Sequence, residues 1–305
     1  MKRLFLMLAF TTTCAWAQNA EVLTLPNLKA VTVEDTLNVA TTTSLIGDVV
    51  TQVGGDAVDL TTLIAPGQDP HGFEPAARDL ARASKAQVVF VNGWGLEETL
   101  LDTLRSVAEG VPFVPVAAGI TPLSIGGNPN PHTWLSVENV MQWTTNIRDA
   151  LSTLDPANAE AYAANAEAYL AQLRDLETYA ETTLINLPEE RRKLVTLHDA
   201  YGYFAEAYGF EIVGSVIGSS STLAEPSAGG LAGLIDEMTV QGICTLFADV
   251  NESQLVQTVA DELTCDEVQV LSLYTETLGA AGSGAESYLG MMRTNIDTIF
   301  AGLSE

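Results

Sequence analysis

The sequence has little positive charge: 13 lysines and arginines stand against 39 aspartates and glutamates, for a formal net charge of −26. This shortage of basic residues excludes a nucleic-acid-binding protein and argues against an acidic substrate, whereas cations remain acceptable ligands. The acids are scattered and form no single run, so solubility in a salty habitat would also account for them. Charge alone therefore identifies no ligand.

Long apolar runs are missing after residue 20, and a membrane span needs about 18 such residues or more. We therefore expect no direct membrane insertion. Residues 1–17 combine a basic start, an apolar run and small residues, which predicts a secretory signal peptide cleaved after Ala17. Losing Lys2 and Arg3 with it changes the net charge from −26 to −28. Cys14 lacks the preceding apolar and small residues that lipid attachment requires, so we expect a soluble periplasmic protein without a lipid anchor.

Cysteine is also scarce, with three residues in the chain. Export would leave Cys244 and Cys265, an even pair in an oxidising compartment, and this pairing predicts a disulfide. Cys244 lies in a predicted strand and Cys265 just after the next predicted helix, so the ends of one crossover would be joined.

Glycine and proline are both absent from residues 157–187. Asp155 is predicted to cap a helix that begins at Pro156 and ends before Pro188. A helix of about thirty residues is roughly 45 Å long, which suits a rigid rod between two domains. An ordinary core helix of one large domain is the alternative. The apolar stripe of the predicted helix consists of Tyr162, Ala166, Tyr169, Leu173, Leu176 and Ala180.

Strand patterns alternate with helix patterns on both sides of this rod. Strands are predicted at 37–42, 58–64, 88–91 and 113–116, and again at 193–197, 210–217, 242–248 and 268–273; one of the helices between them is predicted at 96–108. This alternation predicts an α/β fold of two domains, each with a parallel β-sheet flanked by helices, joined by one long rigid α-helix. We place the N-terminal domain at 36–154, the linking helix at 155–187 and the C-terminal domain at 190–305.

The chain has only three histidines, His71, His132 and His198, and each follows a predicted strand. Ligands of open parallel sheets bind at the carboxyl ends of strands, so these side chains are expected to converge in one cleft. Glu276 follows the last predicted strand and would complete the group. Three imidazoles and one carboxylate suit a first-row divalent metal such as Zn²⁺ or Mn²⁺ in a closed site of four residues.

Each of these residues also has a simpler explanation. A histidine after a strand is commonly a loop residue bonded to backbone, and the prolines before His71 and His132 would then only direct the chain. Phe73 and Trp134 are expected to be core residues and not part of a cofactor site. Glu276 would stabilise a helix start.

Four motifs carry a resemblance to a known family. They are Asp69–Pro75 (DPHGFEP), Asn130–Leu135 (NPHTWL), Leu197–Phe204 (LHDAYGYF) with Tyr208–Gly209, and Leu273–Thr277 (LYTET) before the closing helix. In this order they resemble the periplasmic solute-binding proteins of zinc and manganese ABC transporters, the metal-binding cluster A-I family. The resemblance covers essentially the whole mature chain.

The resemblance implies a monomer that is not an enzyme, with a metal buried at the domain interface and later handed to a membrane permease. The positions that match the family's ligands are His71, His132, His198 and Glu276, and Zn²⁺ is the expected metal, with Mn²⁺ as the alternative. Three features depart from common family patterns. Glu276 replaces the usual aspartate, which leaves monodentate and bidentate coordination open. The loop before His132 lacks a His-rich insert, and His198 stands where many manganese-type members have glutamate.

Two other functions fit part of the sequence. A secreted zinc hydrolase would use three histidines as ligands and Glu276 or Glu74 as the base, but it needs a fourth metal position open to water. A sugar-binding or amino-acid-binding protein would have a similar two-domain build, but that class lines its cleft with aromatic and polar residues and closes about a flexible hinge.

Overall fold

Two four-stranded parallel sheets, one in each half of the chain, organise the molecule. The computed structural model describes residues 21–97 and 99–304. The predicted signal peptide at 1–17, with Cys14, lies outside the described residues. Where each domain begins and ends stays a prediction.

The first half contains the strands and helices β1 (Leu37–Thr41), α1 (Ser44–Gly54), β2 (Val58–Thr62), α2 (Ala77–Ala83), β3 (Val88–Val91), α3 (Leu100–Val107), β4 (Phe113–Pro115), β5 (Ser124–Ile125), β6 (Asn128–Pro129) and α4 (Val137–Leu154). The long helix is α5 (Ala159–Leu184). The second half contains β7 (Lys193–Thr196), α6 (Gly202–Tyr208), β8 (Glu211–Ser215), α7 (Ala228–Gln241), β9 (Thr245–Asp249), α8 (Gln254–Ala260), β10 (Gln269–Leu273) and α9 (Tyr288–Ser304).

The two large sheets share one topology. Their strand orders are β2-β1-β3-β4 and β8-β7-β9-β10, with every pairing parallel. In each sheet the second strand of that half lies beside the first, and the third strand lies on the first strand's other side. The chain therefore reverses its direction of winding next to β1 and next to β7, where doubly wound sheets bind ligands. The predicted fold class is confirmed.

Helix α5 is supported along its length. Its 26 residues span about 39 Å, and it packs against α4 and α1 from the first half and α9 from the end of the chain. The buried stripe joins a core cluster that extends from β1 to α9. The helix therefore holds both halves by packing as well as by connecting them. The stripe consists of Tyr162, Ala166, Tyr169, Leu170, Leu173, Leu176, Ala180 and Leu184.

The predicted start of this helix is wrong in detail. Helical structure begins at Pro156 with Asp155 in the N-cap position, but its first turn, Pro156–Asn158, is 3₁₀, and the Asp155 side chain accepts no backbone N–H. Its Oδ2 instead accepts hydrogen bonds from Asn158 Nδ2 at 2.7 Å and from the Tyr162 hydroxyl at 2.8 Å. The reason is that Tyr162 is fully buried, and a buried phenol needs a hydrogen-bond partner.

The predicted disulfide is confirmed between Cys244 and Cys265, with Cα atoms 6.0 Å apart. It joins the residue before β9 to the segment before β10, at the amino ends of these neighbouring strands. Across residues 21–97 and 99–304, no helix combines the length and apolar character needed to cross a membrane.

Candidate metal centre

The four predicted ligands meet between the two halves. His71 lies in the loop after β2, His132 follows β6, His198 follows β7, and Glu276 follows β10. All four are buried, with side-chain exposures of 1%, 0%, 1% and 6%. One donor atom from each lies within 4.8 Å of the others, and this is the one such cluster among the described residues.

The distances between donor atoms resemble those around a small cation. Glu276 Oε1 is 2.8 Å from His198 Nε2, 2.9 Å from His132 Nε2 and 3.9 Å from His71 Nε2. The Nε2 atoms of His132 and His198 are 3.3 Å apart. A tetrahedral ion with bonds of about 2.0–2.1 Å separates its ligands by roughly 3.3 Å. The four donors therefore need to move only slightly to surround a metal.

Two similar turns deliver the first two histidines. Asp69 and Asn130 each stand two residues before a histidine, with proline between them. The Asp69 carboxylate accepts the His71 backbone N–H at 2.9 Å, and the Asn130 side-chain oxygen accepts that of His132 at 3.0 Å. Proline restricts the preceding residue to extended backbone, and the side-chain bond then turns the chain toward the site.

An oxygen atom stands beside Nδ1 of two of the imidazole rings, and the one beside His132 is hydrogen-bonded to it. Asn130 Oδ1 lies 2.7 Å from His132 Nδ1, and Asp249 Oδ2 lies 3.4 Å from His198 Nδ1. We assign the proton of each ring to Nδ1 on this basis, since an amide or carboxylate oxygen accepts it there. In the neutral form of each ring, which is the form that binds metal, the Nε2 lone pair points at the common centre.

Burial and charge set the protonation of the site. Burial lowers the pKa of His132, and the charge of Glu276 offsets this only in part. Burial alone would raise the pKa of Glu276, but the neighbouring histidines, first His132, hold it well below its usual value. Burial also lowers the pKa of His198, but the neighbouring carboxylates of Asp249 and Glu276 outweigh it and raise that pKa to about 10. The carboxylate is therefore ionised and stabilises positive charge beside it.

The loop that carries Glu276 is fastened to the first half of the chain. The Trp134 indole N–H donates to the Thr275 carbonyl at 2.8 Å, and the Gly67 N–H donates to the Thr277 hydroxyl at 2.7 Å. Trp134 is fully buried, as expected of a core residue, and its ring centroid also lies 5.2 Å from that of His132. The ligands from the two halves are thus held by contacts made within one residue of Glu276.

Sequence reasoning missed Asp249 and Asn130. Asp249 ends β9, at the same sheet edge as His198, so its position after the third strand of that half was an available signal. Asn130 could have been found from its spacing to His132, which repeats that of Asp69 to His71. Glu74, the alternative base of a hydrolase, is exposed beside α2 and belongs to no cluster of possible ligands among the described residues.

Comparison with known proteins gives consistent matches. The family described as zinc-uptake complex component A, periplasmic, matches residues 39–302. The manganese-binding lipoprotein MntA of Halalkalibacterium halodurans is 37% identical over 273 residues, which is 88% of this chain and 89% of that protein. The iron ABC transporter substrate-binding lipoprotein MtsA of Streptococcus pyogenes serotype M1 is 30% identical over 284 residues, or 89% and 90% of the two chains.

Solved structures show the same architecture. The periplasmic zinc binding protein TroA from Treponema pallidum superposes with a TM-score of 0.82 at 29% identity, covering 88% of this chain and 99% of that one. The manganese-bound periplasmic metal binding protein from Candidatus Liberibacter asiaticus superposes with a TM-score of 0.78 at 29% identity, covering 88% and 100%. These proteins are named for different divalent metals while sharing one fold.

Proposed function

Since this chain belongs to the family of periplasmic zinc-uptake complex component A proteins, we propose that it binds a divalent transition metal and delivers it to the membrane permease of an ABC transporter. One observation carries the proposal: the only three histidines of the chain and Glu276, from four separate loops, bring their donor atoms within 4.8 Å of one another. Burying three imidazoles around one carboxylate is costly unless they share a ligand.

We propose His71, His132, His198 and Glu276 as the ligands. The carboxylates of Glu276 and Asp249 supply two negative charges beside the centre, which match the charge of a divalent cation. Asn130 and Asp249 would keep their histidines in the tautomer that binds metal. Removing a residue that orients a metal ligand in this way commonly lowers the metal affinity 10- to 100-fold.

Zn²⁺ is the metal that this donor set should bind most tightly. Imidazole suits zinc, and the Irving–Williams order places Mn²⁺ lowest among the divalent first-row metals. Mn²⁺ is expected at the same four ligands with lower affinity, in line with relatives named for manganese. Which of the two is carried in the cell then depends on supply as well as affinity.

A binding role fits this site better than hydrolysis. A catalytic zinc keeps one position open for water, but Glu276 Oε1 already lies within 3 Å of two histidine nitrogens and occupies the fourth position. We therefore propose a protein without enzyme activity that acts in the periplasm as a monomer, exported by its first 17 residues. Relatives named as metal ABC transporter substrate-binding lipoproteins support delivery to a permease.

Thermal unfolding of metal-free protein with added Zn²⁺ or Mn²⁺ tests the ligand set. Metal at about a thousand times its dissociation constant stabilises the folded state by roughly 4 kcal/mol. Replacing any of the three histidines by alanine should remove most of this gain, and Glu276→Ala should leave a weaker site. Glu74→Ala is the matched control, because it removes an exposed carboxylate near His71 and should retain the full gain. No shift in the wild type, or a full shift in His198→Ala, would refute the site.

A further inference from the structure

A cavity of about 250 Å³ lies directly beside the metal centre, between the two halves of the chain. Asp69 of the first half lines it, and the carboxyl end of β9 with the loops after β7, β8, β9 and β10 supplies the rest of its wall. Its acidic members are Asp69, Asp249, Glu252 and Glu276. The cavity is therefore acidic on both sides, and it reaches one of the four proposed ligands.

Glu276 links this cavity to the metal centre. It is the one proposed ligand that lines the cavity, and at 6% it is also the most exposed of the four. Its Oε1 faces the histidines, whereas its buried Oε2 has no hydrogen-bond partner among the described residues. One side chain thus borders the cavity and, through Oε1, belongs to the centre.

The carboxylates around the cavity are too widely spaced to hold a bare ion. No three acids of this wall form a close ligand cluster, because the group of His71, His132, His198 and Glu276 is the one found among the described residues. A hydrated ion fits better. Six water molecules occupy roughly 180 Å³ at about 30 Å³ each, which is less than the volume of the cavity.

We propose that this cavity is an access chamber, a second and weaker cation site through which the metal reaches and leaves the four ligands. It takes the divalent cation with its water, holds it through water on the carboxylates of Asp69, Asp249 and Glu252, and passes it to the Glu276 carboxylate as water is lost. This inference rests on the proposed function. It adds the route, the hydrated state of the ligand and the residues that handle it.

Removing one chamber charge should change the rates of metal exchange and not the affinity. Glu252→Gln keeps the oxygen that accepts the Gln254 N–H and loses only the charge. A carboxylate about 8 Å from a divalent cation raises the local concentration of that cation roughly six-fold in water without salt, and about two-fold at 0.1 M salt. Association and release of Zn²⁺ should therefore both slow by about two-fold at 0.1 M salt, with an unchanged dissociation constant.

The matched control is Glu262→Gln, which removes the same charge at an exposed position that does not line the chamber. Rates are measured as Zn²⁺ transfer to and from a fluorescent chelator. If both variants slow exchange equally, net charge and not the chamber is responsible, and the proposal fails. If Glu252→Gln leaves both rates at the wild-type value, or weakens the affinity without slowing exchange, it fails as well.

A second pair of variants tests the route by blocking it. Val250 lines the chamber and is 37% exposed, whereas Val240 is 83% exposed on α7, outside the chamber. Val250→Trp should slow Zn²⁺ uptake and release by tenfold or more, and Val240→Trp should leave them unchanged. If Val250→Trp takes up and releases Zn²⁺ at the wild-type rates, the metal uses another route and the proposal fails. Failure of the wild type to bind Zn²⁺ at all would instead refute the proposed function, so the two failures are distinguishable.

Discussion

Removing the disulfide should destabilise the second half of the molecule and leave the metal centre almost unchanged. Cys244 and Cys265 are separated by 21 positions, and they enclose β9 and α8 between the amino ends of two paired strands. A cross-link that closes a loop of this length restricts the unfolded chain and stabilises the folded state by about 3.3 kcal/mol at 25 °C. The proposed ligands lie at the opposite, carboxyl ends of the strands.

The assay is urea unfolding of the Cys244→Ser/Cys265→Ser double variant beside the oxidised wild type. With a slope of about 2 kcal/mol per molar urea, the loss of roughly 3 kcal/mol lowers the midpoint by about 1.5 M. Dithiothreitol should reproduce this shift in the wild type and have no effect on the double variant, which serves as its control. The Zn²⁺ dissociation constant should change by less than about two-fold.

The reasoning would be refuted in either of two ways. A loss below about 1 kcal/mol would mean that the loop is already restricted in the unfolded chain, so that the cross-link removes little entropy. A large loss of Zn²⁺ affinity in a folded double variant would mean that the amino ends of β9 and β10 control the positions of Asp249 and Glu276 at their other ends.

Three further predictions concern α5 and the site. Leu184 is 1% exposed, so Leu184→Ala should lower the free energy of unfolding by about 2–5 kcal/mol. The neighbouring Ile185 is 71% exposed, so Ile185→Ala should lower it by less than about 0.5 kcal/mol. Urea unfolding of the two variants compares these losses. Because the His198 pKa is raised to about 10, that ring is protonated near neutral pH in metal-free protein and metal must displace its proton. Zn²⁺ affinity should therefore rise about tenfold per pH unit from pH 6 to 8 in chelator competition, and a pH-independent affinity would contradict this. Since α5 packs against helices of both halves, adding Zn²⁺ should change the radius of gyration in X-ray scattering by less than about 1 Å, and a change of several ångströms would exclude a rigid link.

Local signals in the sequence determined most of the secondary structure. Each of the eight predicted strands matches a strand of the two large sheets, because apolar β-branched runs between glycines and prolines specify extended backbone through near neighbours alone. The helix predicted at 96–108 begins only at Leu100. The buried Glu97 carboxylate accepts the Asn92 N–H at 2.7 Å and the Thr42 hydroxyl at 2.6 Å, and this contact with the loop after β1 shapes the turn before the helix.

The sequence by itself also determined the candidate ligands, because three histidines placed after strands leave few choices. Only the tertiary structure decided that His198 and Glu276, 78 residues apart, lie 2.8 Å from each other. It also decided that Asp249 joins them, that both sheets share one strand order, and that an acidic cavity adjoins the centre. Neighbouring residues specify backbone conformation, but contacts between distant residues depend on how strands pair and how α5 packs the two halves together, and no local pattern encodes that.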